Sequence, residues 1–447
     1  MARRLSLAIV VQRYGAEING GAELHARYLA EHLARYADVD VLTTCARDYV
    51  TWQDAYPPGR TQVNGIRVER FPVARERDRD LVDFGRRSVQ VFTQRHSTHD
   101  ELRWLEAEGP VSPALLARVR ERATSVDYWL IFSLRYHCAY HTARSTAARA
   151  VLVPTMEGEA AVGLSIFGPV LRGVRAVMYN SFEERAMLQE VSGNAAVPGV
   201  VVGIGSEIPP RVDPARARAK FELRRPFVVY VGRIDTNKGC AELFDLFREY
   251  LRIGYLTLRD RELDLVLIGT AVLPIPDHPR IRHLGFVSDQ DKFDVIAAAE
   301  ALVMPSYFES LSMVALEAWA LGRPVLVNAH CDVLAGQCLR SQAGLPYADA
   351  REFAGALDAL LDNPRLGATL GERGRRYFAD TYAWPVIERK YLDLLTALAD
   401  TPAAGRMEPL PGPLARRRRD KPPAAEVVAS LRRGPALAAP RRSAPGL

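Results

Sequence analysis

"PFVVYVG", residues 226 to 232, decides the fold. It is a short apolar run rich in β-branched and aromatic residues that ends on glycine, and "RIDTNKGCAELFDLF" after it reads as a loop entering a helix. Runs of this kind are strands of a parallel sheet covered on both faces. Upstream, "LSLAIVV" (5–11), "VDVLTT" (39–44), "YWLIFS" (128–133), "AVLVPT" (150–155) and "AVMYNS" (176–181) have the same character and alternate with helical patterns. From residue 226 the grammar restarts and continues through "LDLVLIG" (263–269), "IRHLGFV" (281–287), "ALVMPS" (301–306) and "PVLVNA" (324–329). The pattern predicts two doubly wound α/β domains in tandem, joined through the Gly/Pro-punctuated "VVGIGSEIPPRVDPARAR" (201–218). Open sheets of this type bind ligands beyond the carboxyl ends of their strands, so the chemistry is expected in strand-end loops facing a cleft between the domains.

Composition narrows the class of function. The chain of 447 residues carries a net charge of +6, but residues 402–447 hold ten Lys/Arg against three Asp/Glu, which leaves the rest close to neutral. A basic tail on a neutral body does not predict nucleic-acid binding. The five cysteines form no C-x-x-C pair and are odd in number, which predicts reduced thiols and a cytoplasmic setting. No apolar run approaches the length needed to span a bilayer. Contact of the basic tail with an anionic membrane face is the one route to a peripheral location. Only five of the 59 basic residues are lysine, so each lysine carries more information than usual.

Four features carry chemistry. In "INGGAELHARYLAEHLARY" the apolar spacing of Ala26, Leu29, Ala30 and Leu33 predicts a helix from about residue 22, which puts Gly20 and Gly21 at an N-terminus able to receive an anion. It is neither a Walker loop nor a dinucleotide fingerprint, and a ligand-free tight turn is an equal reading. Arg233 and Lys238 follow the strand at 226–232 and can reach one phosphate cluster. In "FESLSMVALEAW" (308–319), Glu309 precedes a helix and Glu317 lies inside it; eight helical steps would separate them by roughly 12 Å. That is too far for a glycosidase-type acid/base pair, and it suits two grips on one elongated ligand. His137 follows the strand at 128–133 and has His141 at metal-ligand spacing, but no further ligand completes a zinc site, so no metal is expected. The D-x-D matches at Asp38/Asp40, Asp78/Asp80 and Asp289/Asp291 are likewise not read as metal sites.

Taken in order, "GGAELH", "VGRIDTNKG", "LGFVS" and "PSYFESLSMVALEAWALGRPV" resemble the family-4 retaining glycosyltransferases of the GT-B fold, over roughly residues 5–398. The resemblance implies a nucleoside-diphosphate sugar as donor, no metal or other cofactor, and transfer to an acceptor hydroxyl on a glycan or lipid-linked molecule. It implies that Arg233 and Lys238, with Gly20 and Gly21, hold the diphosphate. Glu309, Ser310, Leu311 and Ser312 would meet the donor sugar, and Glu317 and Val287 the ribose and base. Where the family often has histidine, "PTMEGE" has Glu157, so His137, Glu157 and Glu309 are the candidates for roles at the reacting carbon. The expected division is an acceptor-side domain at 1–205, a donor domain at 206–384, a helix at 385–401 returning to the first domain, and a disordered tail at 402–447. Tyr49, Trp52, Tyr56, Arg70, Arg75, Arg77 and Arg79 are expected to shape the acceptor side. A nucleotide-sugar epimerase of the same fold and a non-catalytic sugar-nucleotide-binding protein are the competing readings.

Overall fold

The computed structural model describes residues 4–79, 81–256, 262–403, 407–410 and 416–417. Its first sheet has eight strands in the order Gly59–Val63, Ile66–Phe71, Ala37–Thr44, Leu5–Val10, Tyr128–Phe132, Ala150–Val153, Ala176–Tyr179 and Gly199–Val201. All pairings are parallel except the edge hairpin Gly59–Val63 with Ile66–Phe71. The second sheet is wholly parallel, with six strands in the order Ile281–His283, Asp264–Ile268, Phe227–Val231, Ala301–Met304, Val325–Asn328 and Gly344–Tyr347. Both sheets reverse strand order beside their first strand, so the loops after Leu5–Val10 and Phe227–Val231 stand at the switch points where ligands of such sheets bind.

Every apolar run read as a strand is a strand. The central ones, such as Tyr128–Phe132 and Phe227–Val231, are buried along their whole length, which is why they lack the alternation of a one-sided sheet. One buried cluster includes Ile9 and Phe132 of the first domain, Val229 and Leu302 of the second, and Trp384, Ile387 and Tyr391 of the helix Trp384–Ala399. That helix lies against the first domain. Glu388 accepts from His32 Nδ1 at 2.6 Å and from Tyr36 Oη at 2.8 Å, the His32 ring stacks on Trp384, and Arg175 donates to the carbonyls of Leu398 and Thr401.

The C-terminal segment departs from expectation in part. Met407 and Leu410 pack against the first domain's second core, and Arg172 forms a two-pronged pair with Glu408. Arg416–Arg417 pairs antiparallel with His96–Ser97. Hydrophobic anchors spaced among Pro, Ala and Arg gave no periodic signal, so composition alone hid this return. The rest of the basic stretch lies outside the described residues. Among the described residues, no helix is long and apolar enough to cross a membrane.

Candidate functional site

Strands Phe227–Val231 and Ala301–Met304 are neighbours, so the loops leaving their carboxyl ends run side by side. The first carries Arg233 and Lys238, the second Glu309. The loops touch at Gly239, whose φ is +71° and where a Cβ would lie 2.3 Å from the Pro305 carbonyl oxygen. Only glycine permits that approach. It brings Lys238 Nζ to donate to Glu309 Oε1 at 2.8 Å. Asp235 organises the same loop: Oδ1 accepts from the Lys238 amide at 2.8 Å and Oδ2 accepts from Arg233 Nε. Burial works to lower the Lys238 ammonium, but the carboxylates of Glu309 and Glu157 outweigh it and hold the group above its ordinary value.

The first domain completes this cluster. Burial pushes the Glu157 carboxyl up to about 7, against the pull of Lys238 and with the push of Glu309. Glu157 therefore shares one electrostatic neighbourhood with both. Arg233 Nη1 donates to Tyr49 Oη at 2.6 Å, and Arg13 and Arg233 each lie 5.4 Å from the Tyr49 ring centre. Asn180 Nδ2 reaches Ser310 Oγ at 3.5 Å. Cations, carboxylates and hydroxyls from both domains thus converge at the carboxyl ends of both sheets.

Glu317 occupies a separate part of the second domain. Ser312 caps the helix Met313–Ala320 by accepting from the Ala315 amide, a contact that contributes about 1 kcal/mol. In that helix Glu317 is 5% exposed. Its Oε1 accepts from Lys292 Nζ at 3.0 Å, while its Oε2 is buried with no hydrogen-bond partner. Burial raises its pKa, opposed by Lys292. Each glutamate of the "FESLSMVALEAW" stretch therefore has its own lysine, one from the loop after Phe227–Val231 and one from the helix Asp289–Ala298.

The remaining candidates fall into two groups. Gly20 and Gly21 lie at the start of the helix Gly21–Leu33. A Cβ at Gly20 would lie 2.2 Å from Glu23 Oε2, because Glu23 folds over the turn to pair with Arg13, whereas Gly21 has open space. Val287 packs partly buried against the core. His137 begins the helix His137–Ser145; its Nδ1 is buried without a partner, burial lowers it to about 4, and its ring lies 4.3 Å from that of His141. It is a neutral imidazole, and no contact joins it to Glu309. The Leu311 side chain is in the core, and Ser312 is spent on its cap, with its hydroxyl on the Ala315 amide and its carbonyl on that of Leu316. Of the acceptor-side set, Trp52 is buried and donates to the Glu108 carbonyl, Arg70 to that of Tyr14, and Arg77 to those of Val50 and Tyr49. Tyr49, Arg75 and Arg79 remain exposed. Of the D-x-D aspartates, Asp291 binds Ser288 and Lys220 and Asp40 binds Arg67 and Arg122, while Asp80 lies outside the described residues.

Sequence reasoning missed Lys292, Asp235 and Asn180. The scarcity of lysine pointed toward Lys292. Asn180 directly follows the strand Ala176–Tyr179 and Asp235 lies in the loop after Phe227–Val231, but nothing in the pattern separates them from ordinary loop residues.

Residues 225–363 match the family model of glycosyl transferases group 1. Over 139 residues the chain is 30% identical to the MMP alpha-(1->4)-mannosyltransferase of Mycolicibacterium hassiacum, covering 28% of this chain and 33% of that one. Over 234 residues it is 29% identical to the D-inositol 3-phosphate glycosyltransferase of Corynebacterium aurimucosum, covering 44% and 52%. The chain thus spans between a third and about half the length of these curated relatives. Among solved structures it is similar to the sucrose-phosphate synthase of Thermosynechococcus elongatus, with a TM-score of 0.62 at 19% identity over 89% of this chain and 99% of that one. It is also similar to Anabaena HepE in complex with UDP, with a TM-score of 0.60 at 16% identity over 88% and 100%. The fold is GT-B.

Proposed function

From a GT-B chain whose second domain is of the glycosyl transferases group 1 type, we propose a glycosyltransferase that moves a sugar from a nucleoside-diphosphate sugar to an acceptor hydroxyl. The observation that carries this reading is the pair of lysine-held glutamates on one loop-and-helix element. Glu317 Oε2 is a buried acceptor without a donor, a state that costs about 1 to 3 kcal/mol, and a ribose hydroxyl supplies the missing bond. Lys238 and Arg233 stand where a diphosphate would lie, and Glu309 beside Lys238 meets the sugar. Solved complexes of Anabaena HepE with UDP and with UDP-glucose support this class of donor.

In this reading, binding exchanges partners. The diphosphate takes Lys238 from Glu309 and Arg233 from Tyr49, which frees Glu309 for sugar hydroxyls while two cations stabilise the departing diphosphate. Those cations do what a metal does elsewhere, so turnover is expected to survive EDTA. The near-neutral Glu157 faces the same cluster from the first domain, where it can hold or yield a proton at the acceptor side. Retention of configuration and a glycan or lipid-linked acceptor belong to the proposal, and so does contact of the basic tail with anionic membrane.

The test is release of nucleoside diphosphate from a panel of nucleotide sugars, with and without candidate acceptor glycans. Release that depends on acceptor supports transfer. Epimerised sugar without acceptor, or binding without turnover, replaces it with one of the competing readings. Sedimentation with anionic vesicles, with and without residues 404–447, tests the membrane contact.

A further inference from the structure

One buried carboxylate outside the ligand-facing cluster ties two of its loops together. In the helix Phe182–Ser192, Ser181 caps the N-terminus by accepting from the Glu184 amide at 3.1 Å. The usual reciprocal bond would return from Glu184 to the amide of the cap residue. Glu184 reaches further. Its Oε2 accepts from the Asn180 amide at 2.6 Å, and its Oε1 accepts from the Met156 amide at 2.8 Å. Asn180 follows the strand Ala176–Tyr179, and Met156 lies in the loop after Ala150–Val153. These strands are neighbours, so the carboxylate continues their registration beyond the point where ladder bonds end.

The loop held in this way is strained. Thr155 has a φ of +48°, a left-handed conformation that is a genuine outlier for a β-branched residue. Strain of that kind costs of order 1 to 3 kcal/mol and persists only where neighbours over-determine it. On one side Thr155 Oγ1 is 2.8 Å from Ser133 Oγ; on the other, the next amide is fixed by Glu184. The residue after Met156 is Glu157. The same short segment touches the second domain: Asn180 reaches Ser310, Glu183 forms a two-pronged pair with Arg340, and Arg340 lies over Phe182.

Resting on the proposed transfer reaction, we infer that Glu184 is a positioning residue: through the Met156 and Asn180 amides it locks the strained turn that presents Glu157 to Lys238 and Glu309. It touches no ligand itself, being 1% exposed. Burial pushes its carboxyl up to about 8 while the two amides hold it down; in the charged form both oxygens accept, whereas an amide of the same shape turns a donor toward one of the two N–H groups.

The test uses Glu184→Gln and Thr155→Gly in the full chain; glycine adopts the left-handed φ freely, so the second variant loosens the same turn without endangering the fold. Two readouts are taken: hydrogen exchange of the amides in residues 154–159, and kcat and KM for the donor found in the nucleotide-sugar panel. Exchange in that segment is expected to accelerate at least tenfold in both variants. Turnover is expected to fall about tenfold or more, with donor KM and nucleoside-diphosphate affinity within twofold of the unmodified chain. Unchanged exchange overturns the inference whatever the activity. Faster exchange with normal turnover, or a loss of diphosphate affinity as large as the loss of turnover, overturns the positioning role. If the unmodified chain turns over no nucleotide sugar, the transfer reading falls, and the exchange result alone decides whether Glu184 holds the turn.

Discussion

Lys238 donates to Glu309 at 2.8 Å between loops that leave two adjacent strands of the second sheet. The pair keeps a cation and an anion in place where the two loops meet. In the proposed reading Lys238 and Arg233 hold the diphosphate, and each charge-assisted contact would contribute about 1.5 to 3 kcal/mol. Lys238→Ala and Arg233→Ala are therefore expected each to weaken nucleoside-diphosphate binding about ten- to a hundredfold in a calorimetric titration. Wild-type affinity in either variant removes that residue from the diphosphate site.

Lys292 has the corresponding duty at Glu317, but deeper in the protein. Removing it leaves a buried carboxylate without its counter-charge, a change that typically costs about 3 to 5 kcal/mol. Lys292→Ala is expected to lower the unfolding free energy measured in urea by an amount in that range, and adding Glu317→Gln should recover most of it. A loss under 1 kcal/mol would show that water reaches Glu317.

Burial pushes two carboxyls up, Glu184 to about 8 and Glu157 to about 7, and the pH test addresses Glu157. Folded, its carboxyl keeps its proton to about 7, whereas unfolded it releases it near 4.5. The folded state thus binds more protons between these values, and stability falls as pH rises through that window, by up to about 3 kcal/mol. Glu157→Gln is expected to remove its share of the decline and leave that of Glu184, measured as unfolding free energy at pH 5 and pH 7.5. His137, lowered to about 4, stays neutral throughout and adds no charge change above pH 5. An unaltered slope in Glu157→Gln means that its carboxyl titrates normally.

Much of this was legible because parallel sheets write themselves plainly: strands buried on both faces appear as unbroken apolar runs, and chemistry follows their ends. Arg233, Lys238, Glu309 and Glu317 could be singled out on that ground. Their pairings could not, since Lys292, though one of few lysines, reaches Glu317 from a different helix and Glu184 reaches Met156 across a neighbouring strand. The charges between residues 44 and 79 misled for a related reason. Arginine looks alike in sequence whether it faces solvent, as Arg75 does, or is spent on backbone carbonyls, as Arg70 and Arg77 are.

The C-terminal segment is checked by truncation. A chain ending at Ala403 loses the Arg172–Glu408 pair and the packing of Met407 and Leu410, whereas one ending at Leu410 keeps them. The shorter chain is expected to be less stable by about 1 to 3 kcal/mol, from the apolar surface it exposes. Equal midpoints in denaturant would show that these contacts do not hold in solution.

Two grips on one donor respond differently when the donor is cut short, and titrating a nucleoside diphosphate and its nucleotide sugar into Glu309→Ala and Glu317→Ala measures that difference directly. Glu317→Ala is expected to weaken both ligands alike, since both carry the ribose. Glu309→Ala should leave the diphosphate as tight as in the unmodified chain or tighter, because Lys238 is released from its partner, while the nucleotide sugar binds or transfers less well. If Glu309→Ala damages diphosphate binding as severely as Glu317→Ala, with both variants folded, the two-grip account of this cleft is contradicted.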